Sequence, residues 1–587
     1  NTFQRGTQES CFETVPAPCL EELKYGMASS NTDNGNGIKA IFNGLNAVPS
    51  QYSFTNAPDA EDRAIQAIYF ANQWDVDTGD LSALAGKMGD QCRNDMFDKY
   101  YKKIAKNTKI TDSSAGMDSK HYLMSWYTAW GGALTASYGN YTWAWQIGCS
   151  HSHQFYQNPL AAYALLYDSD INAGMKASNA DEDYTESLKR QIEMYLWLQS
   201  VDGPIAGGCT NSYNGRYEEY PSNLPTFYDM VYVAHPVYSD PGSNHWIGNQ
   251  VWSIQRLAEL YYYVKTNGDD AVDKDGNPLK FGGLSLEDAL DAILSRWIEW
   301  FEANTHFDWV APDGTEYTYC IPSSLNWGDD NDSTDPNCVP DTWTGTYNAN
   351  GNQKLKATIV GYGQGDVGCV SSLCDTLIYY AAAKGVDASA AAVDNENGTV
   401  AEKGLRLANK LLSLQWDQGR DEVGIAFKDH NGSLSRVFEQ EVYIPSYYSG
   451  TMPDGSVLEP GATFSSIRKS YESVDEWQEA YKYYSGQGTD NNGDGTVDIN
   501  DYEYYMHRFW HAGDAIVSYG AMALLYPDVD PYFGDDILWG DANCDGIVDM
   551  SDAVLILQSL ASPDKFGING TDENHITAQG QLNGDVY

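Results

Sequence analysis

Apolar side chains recur at intervals of three and four along much of this chain, a period that suits a helix with one buried face and little else. Leu286, Ala289, Leu290, Ile293, Leu294, Trp297, Ile298 and Phe301 make the clearest stripe, with Ser285 and Asp288 as a capping pair at its start. Similar stripes run through 62–74, 93–105, 188–200, 250–264, 401–414 and 512–525, separated by long loops rich in Gly, Asn, Asp and Pro. The spacing predicts helical hairpins, so the chain is expected to be mainly α with binding or catalysis on its loops. Strand alternation is confined to short pieces such as Val437 to Ile444.

With 587 residues the chain exceeds one ordinary core, although an α-helical barrel can run long as a single domain; one large domain with an appendage is expected. Against 82 Asp and Glu stand 35 Lys and Arg, and the net charge of −47 argues against nucleic acid and anionic membranes as partners. Aromatic residues reach 13%, carried by 43 Tyr and 17 Trp, whose flat apolar faces and polar edges suit sugar rings. The ten Cys are scattered without a metal-finger spacing and read mainly as buried free thiols, a disulfide framework being the weaker reading. No apolar stretch approaches the length of a membrane span; LIYYAAA at 377–383 is typical of the longest.

Past Leu525 the text turns to YPDVDPYFGDDILWG, a break rich in Pro and Asp. It divides a large domain (1–528) from a linker (529–538) and a small tail (539–587). In the tail, Asp541, Asn543, Asp545, Ile547, Asp549 and Asp552 fall at positions 1, 3, 5, 7, 9 and 12 of a calcium loop, with Gly546 at the sharp turn. Alternating oxygen donors at this spacing wrap a hard cation, and an apolar-striped helix, Ala553 to Leu560, follows at once. A second run inside the large domain, Asp490, Asn492, Asp494, Thr496, Asp498 and Asp501, has the same spacing. It is a candidate Ca2+ site, the bland alternative being an Asn, Asp and Gly rich turn in an inserted loop.

Three aromatic clusters, SWYTAW at 125–130, TWAWQ at 142–146 and NHWIGNQVW at 244–252, do not follow one helical stripe, so several members are candidates to line a groove. Hydrolysis of a glycosidic bond needs two carboxyl groups, one to protonate the leaving oxygen and one to activate water or attack the sugar. TNAPDAEDRA at 55–64 sets Asp59, Glu61 and Asp62 behind Pro58 at a helix start. Taken alone, acids there usually just complement the helix dipole.

Longer segments weigh against that bland reading for Asp59. NTFQRGTQES at 1–10, TNAPDAEDRA, KMGDQCRNDMFDKYYKKI at 87–104, SHQFYQNP at 152–159 and IAGGCTNSYNGRYEEYP at 205–221 resemble glycoside hydrolase family 48 in order and spacing. HPVYSDPGSNHW at 235–246, FEQEVYIP at 438–445 and HRFW at 507–510 extend the resemblance over some five hundred residues. The family implies an (α/α)6 barrel with a tunnel and a cleft, cutting cellulose processively from reducing ends to release cellobiose with inversion. By the same resemblance Asp59 is the general base and Tyr156 holds the attacking water. Trp126, Tyr127, Trp143 and Trp145 match tunnel positions, Trp246 and Trp252 match sites beyond the cleavage point, and Gln8, Glu13, Ser239 and Asp240 match the ligands of a structural Ca2+.

The tail, GDANCDGIVDMSDAVLILQSLAS, resembles a dockerin, the module that binds cohesins of a cellulosome scaffold, with recognition positions at Met550 and Ser551. QLNGDVY at 581–587 looks like the start of its second repeat, with Asp585 as first ligand. Both chain ends therefore read as truncations. The family's proton donor is a glutamate on a segment ahead of Asn1, so the barrel is expected to lack N-terminal helices and the chain alone to be inactive or poorly active. The resemblance places the protein outside the cell, acting on cellulose. The rival readings are an α-barrel hydrolase of chitin or xylan and a non-catalytic cellulose-binding component of a cellulosome.

Overall fold

The computed structural model describes residues 51–113, 116–133, 143–236, 244–268, 271–312, 314–328, 337–421, 423–429, 432–448, 450–452, 455–532, 540–568 and 570–584. Helices dominate it. In chain order they are α1 (Pro58–Gln73), α2 (Leu81–Cys92), α3 (Pro159–Tyr167), α4 (Ser169–Asn172), α5 (Ala180–Leu198), α6 (Gly248–Asn267) and α7 (Leu286–Asn304). There follow α8 (Val367–Ala383), α9 (Val400–Gln418), α10 (Arg436–Glu439), α11 (Asp475–Tyr484), α12 (Phe509–Leu525), α13 (Met550–Ala561), α14 (Pro563–Phe566) and α15 (Ala578–Gly584).

The predicted stripe on α7 is buried from Leu286 to Phe301, and Ser285 Oγ accepts from Asp288 N at 3.0 Å to cap its first turn. α6 is enclosed almost all round, which forces its polar residues to find partners inside the protein. Seven of the eight described cysteines are buried, Cys544 is exposed, and all eight are free thiols.

Strands do more than the alternation pattern foretold. β1 (Gln51–Asn56), β2 (Thr128–Ala133) and β3 (Trp143–Ile147) form an antiparallel sheet in which Phe54 pairs with Trp130 and Trp130 with Gln146. β4 (His151–His153), β5 (Gly208–Thr210), β6 (Thr226–Phe227) and β7 (Met230–Val233) form a second, ordered β4-β5-β7-β6. β8 (His306–Val310), the twelve-residue β9 (Glu316–Trp327) and β10 (Ala357–Gly363) form a third.

Two expected elements are absent. Residues 93–105 make only a 3-10 turn, Arg93–Met96, because Asp98 Oδ2 takes the amides of Tyr100 (3.1 Å) and Lys102 (3.0 Å) and Tyr101 turns to a φ of 56°. Val437 to Ile444 is no strand: Val437 and Phe438 lie in α10, whose turn sinks Phe438 against Trp477, Tyr481 and Tyr484 of α11.

The described chain divides into two compact units, and the division does not follow the expected domain boundary at 528. The smaller, Asp366–Gly368 with Leu414–Ile516, contains α10, α11 and the 490–501 loop; the remainder forms the larger. Within the tail, Ala542, Leu555 and Ile576 form a core of their own with Ile556 against it. Asn583 of α15 clasps the 541–552 loop, its Nδ2 donating to Asp541 O at 2.8 Å.

Candidate active site

Pro58 occupies the first turn of α1, where its fixed φ suits a helix start and its missing N–H costs nothing. The N-cap is Ala57, in extended geometry, with no side-chain cap. Asp59 takes part in the helix start itself, its carboxyl accepting from its own amide and from that of Ala60. It is half-buried, and burial pushes its carboxyl above the usual carboxylate range, opposed first by the charge of Arg256 and then by that of Arg63. One turn on, Asp62 is wholly enclosed and pushed well above its ordinary value by burial and then by Asp95. Burial raises Glu61 as well.

Tyr156 ends a 3-10 turn, Gln154–Tyr156, formed as the chain leaves β4. His153 Nδ1 accepts from Phe155 N at 3.0 Å to open that turn, and burial holds its imidazole down to about 3, hence neutral. Tyr195 donates to Gln154 O at 2.7 Å, and Gln154 Nε2 donates to Asn249 O at 2.7 Å. Asn158 then caps α3 through Ala161 N at 3.0 Å while its Nδ2 donates to Gln66 Oε1 of α1 at 3.0 Å. Gln66 in turn donates to Glu259 of α6. One buried polar network thus ties the helix of Asp59, the turn of Tyr156 and the helix of Arg256 together.

Arg256 is the charged member of that network. Its side chain is buried, and its Nη1 donates to Phe155 O at 2.9 Å and to Gln157 O at 2.8 Å, the carbonyls on either side of Tyr156. The guanidinium lies over the Phe155 ring, 5.6 Å from its centroid, and burial lowers it to about 10, so it stays a cation at neutral pH. A half-exposed carboxylate, a buried cation and a buried tyrosine on one scaffold can move a proton and hold a water.

The predicted aromatics separate into two kinds. Trp246 is 40% exposed and stands edge-on to Trp252, 4.9 Å between centroids at 68°. Trp252 is 2% exposed and so backs Trp246 instead of offering a face to sugar. Trp126 is half-buried and edge-on to Tyr127 at 5.6 Å. Tyr127, also 2% exposed, packs with Phe97, Tyr101 and Cys149. Neither Tyr127 nor Trp252 keeps an open ring face. Trp143 and Trp145 lie on β3, but their side chains fall outside the described residues.

Gln8, Glu13, Ser239, Asp240 and Asp585 also fall outside the described residues. The two calcium-type loops fold alike. In the tail, Asp541 Oδ2 accepts from Gly546 N at 2.9 Å, Asp545 Oδ1 from Ile547 N at 2.9 Å, and Asp552 takes Asn543 N at 3.0 Å and Asp549 N at 2.8 Å. In the inner loop, Asp490 Oδ2 accepts from Gly495 N at 2.9 Å, Asp494 Oδ1 from Thr496 N at 2.8 Å, and Asp501 takes Asn492 N at 2.9 Å and Asp498 N at 3.0 Å. The donor sets are all oxygen, which suits a hard cation. Among the described residues, however, no three acidic, histidine or cysteine side chains converge as a metal centre would require.

A cavity of about 530 Å3 beside α7 and α9 lies among none of these residues. Its Arg406 and Lys410 both pair with Asp394, and its Lys403 with Glu302. Among the described residues no helix is long and apolar enough to cross a membrane.

Sequence comparison shows that this chain belongs to glycosyl hydrolase family 48, whose model matches residues 1–526. It is 41% identical over 570 residues to the cellulose 1,4-beta-cellobiosidase (reducing end) CelS of Acetivibrio thermocellus, covering 95% of this chain and 66% of that protein. It is 40% identical over 565 residues to endoglucanase F of Ruminiclostridium cellulolyticum, again 95% and 66%. The chain thus spans just under two thirds of the length of these relatives. A stretch of 48 residues, 8% of this chain, is 65% identical to 6% of a xylanase/beta-glucanase of Ruminococcus flavefaciens.

Sequence reasoning missed Arg256, Glu259 and Gln66, and named Asp62 only as one of three acids at the start of α1. The available signal was the placing of Arg256 and Glu259 three apart inside a helix with no solvent face to carry them.

Proposed function

We propose that this protein hydrolyses β-1,4-glucosidic bonds of cellulose, acting processively from reducing ends to release cellobiose with inversion. The observation that carries this reading is the setting of Asp59: a half-buried carboxyl in the first turn of α1, with Arg256 beside it and Tyr156 on the adjoining network. Asp59 takes a proton from water, Tyr156 holds that water, and the water oxygen bonds to the anomeric carbon as the glycosidic bond breaks. A second carboxylic acid on the opposite side gives its proton to the departing sugar oxygen. Trp246 offers the open ring on which a glucose unit stacks, and Trp126 a partly open one.

The reading extends to the tail. Asp541, Asn543, Asp545, Ile547, Asp549 and Asp552 would hold one Ca2+ through side-chain oxygens and the Ile547 carbonyl, and Asp490 to Asp501 a second by the same scheme. Calcium would stiffen each loop by neutralising carboxylates that otherwise repel. With Met550 and Ser551 beside it, the tail loop would present the protein to a cohesin of an extracellular scaffold.

Product analysis on cellulose, xylan and chitin tests the substrate. Cellobiose appearing first as the α-anomer, from cellulose alone, is expected; soluble N-acetyl sugars or xylo-oligosaccharides without cellobiose would move the protein to a different polymer.

A further inference from the structure

We propose that Arg256 is the positioning residue of the hydrolytic step, one buried guanidinium that fixes the turn bearing Tyr156 and sets its positive charge beside the Asp59 carboxylate. The inference rests on the reading of Asp59 as base and adds to it a residue outside the motifs that suggested that reading.

The geometry has two parts. First, Nη1 of Arg256 bridges Phe155 O at 2.9 Å and Gln157 O at 2.8 Å, so the carbonyls of the residues flanking Tyr156 share one donor. That grip fixes where the Tyr156 ring leaves the turn, and the ring's edge-on contact with Phe155, 5.2 Å at 89°, follows from it. Second, the hydrogen bond from Gln66 to Glu259 holds the inner faces of α1 and α6 together. One helical turn before Gln66 stands Asp62, and one turn before Glu259 stands Arg256. The Arg256 charge is accordingly felt by both Asp59 and Asp62.

Charge arithmetic makes this cation matter. Asp59 faces Glu61 and Asp62 on its own helix, and Asp62 faces Asp95 from the turn after α2. Glu259 of α6, with Asp375 of α8 against it, adds further carboxyls. Against these stand Arg256 and Arg63, and Arg256 exerts the larger pull on Asp59. A carboxylate among acids in a half-buried site is a proton acceptor only while an opposite charge holds it ionised.

The test uses the intact protein and soluble cello-oligosaccharides, with Arg256→Met, Arg256→Lys and Asp59→Asn measured side by side. Arg256→Met removes both the bonds and the charge. Its kcat is expected to fall by about a hundredfold with KM little changed, as a misplacement of about 1 Å costs. Its acidic limb of kcat/KM should move up by about one pH unit or more. Arg256→Lys keeps the charge, but its shorter side chain ends short of the Nη1 position and loses the bridge to the two carbonyls, so its acidic limb should stay in place while kcat drops by about tenfold. A merely structural arginine would lower the melting temperature and the amount of active protein without moving either limb. A folded Arg256→Met with the parent's kcat and acidic limb overturns the proposal; should that variant fail to fold, an Arg256→Lys protein with the parent's kcat overturns it equally. Asp59→Asn separates the two layers: if it keeps full activity, the base assignment itself is wrong, whereas an inactive Asp59→Asn beside a normal Arg256 series removes only the role given to Arg256.

Discussion

Trp246 keeps its ring open because Gly248 leaves room for it. A Cβ at position 248 would stand 2.5 Å from Trp246 Cη2 and 2.6 Å from two further ring carbons, closer than carbon atoms approach. Gly248→Ala must therefore turn the indole out of place or shift the start of α6, at a cost of about 1–3 kcal/mol. Kinetics on cello-oligosaccharides should show a raised KM, and a KM equal to the parent's would detach Trp246 from binding. The candidacy of Asp59 came from TNAPDAEDRA only because the segment resembles a family; by itself an acid behind a helix-opening proline says nothing of catalysis. Arg256 was not legible. Its two carbonyl partners lie about a hundred residues away in sequence, and no local pattern announces a bond between a helix side chain and a distant turn.

Among the elements, the junction of α2 and α5 depends on one carboxylate. Asp183 pairs with Arg93 Nη2 at 2.6 Å and with Lys120 Nζ at 2.5 Å, all three nearly free of solvent. Asp183→Asn takes the paired acid from buried Lys120 and leaves Arg93 only Asp90, at 3.6 Å, and chemical denaturation should show a loss of about 3–5 kcal/mol. The contact of α1 with α6 depends on pH. Burial, with the facing groups of Asp375 and Gln255 opposing it, pushes Glu259 up from 4.5 to about 7, so the folded protein holds a proton there that the unfolded chain releases. Its contribution to stability is complete below pH 4.5 and is lost as pH rises through about 7. Melting temperatures of the parent should fall across that window, and Glu259→Gln should flatten the fall; identical slopes would refute the assignment. In the calcium-type loops, Asp552→Ala and Asp501→Ala should each abolish one calorimetric Ca2+ binding event, and an unchanged isotherm would deny that loop its ion. Helices with a long apolar stripe were legible, as α7 shows. The stretch 93–105 was not, because a side chain of the segment itself, Asp98, outcompetes the helix for backbone amides.

For the whole molecule, the mainly helical architecture followed from periodicity, while the three sheets of the larger unit escaped it. β9 packs both faces into the protein over much of its length, so it lacks the alternation that marks a half-exposed strand. The division into two compact units was equally hidden, since α9 and α12 run through the boundary without a break in pattern. What remains is whether the chemistry resides where the folded chain concentrates its buried charge. The rate of cellobiose release from amorphous cellulose by the intact protein, measured for Asp59→Asn against the parent at equal melting temperature, decides it. A fall of at least about a hundredfold is predicted for loss of the base. A rate within twofold of the parent would show that the proton leaves the water by another route.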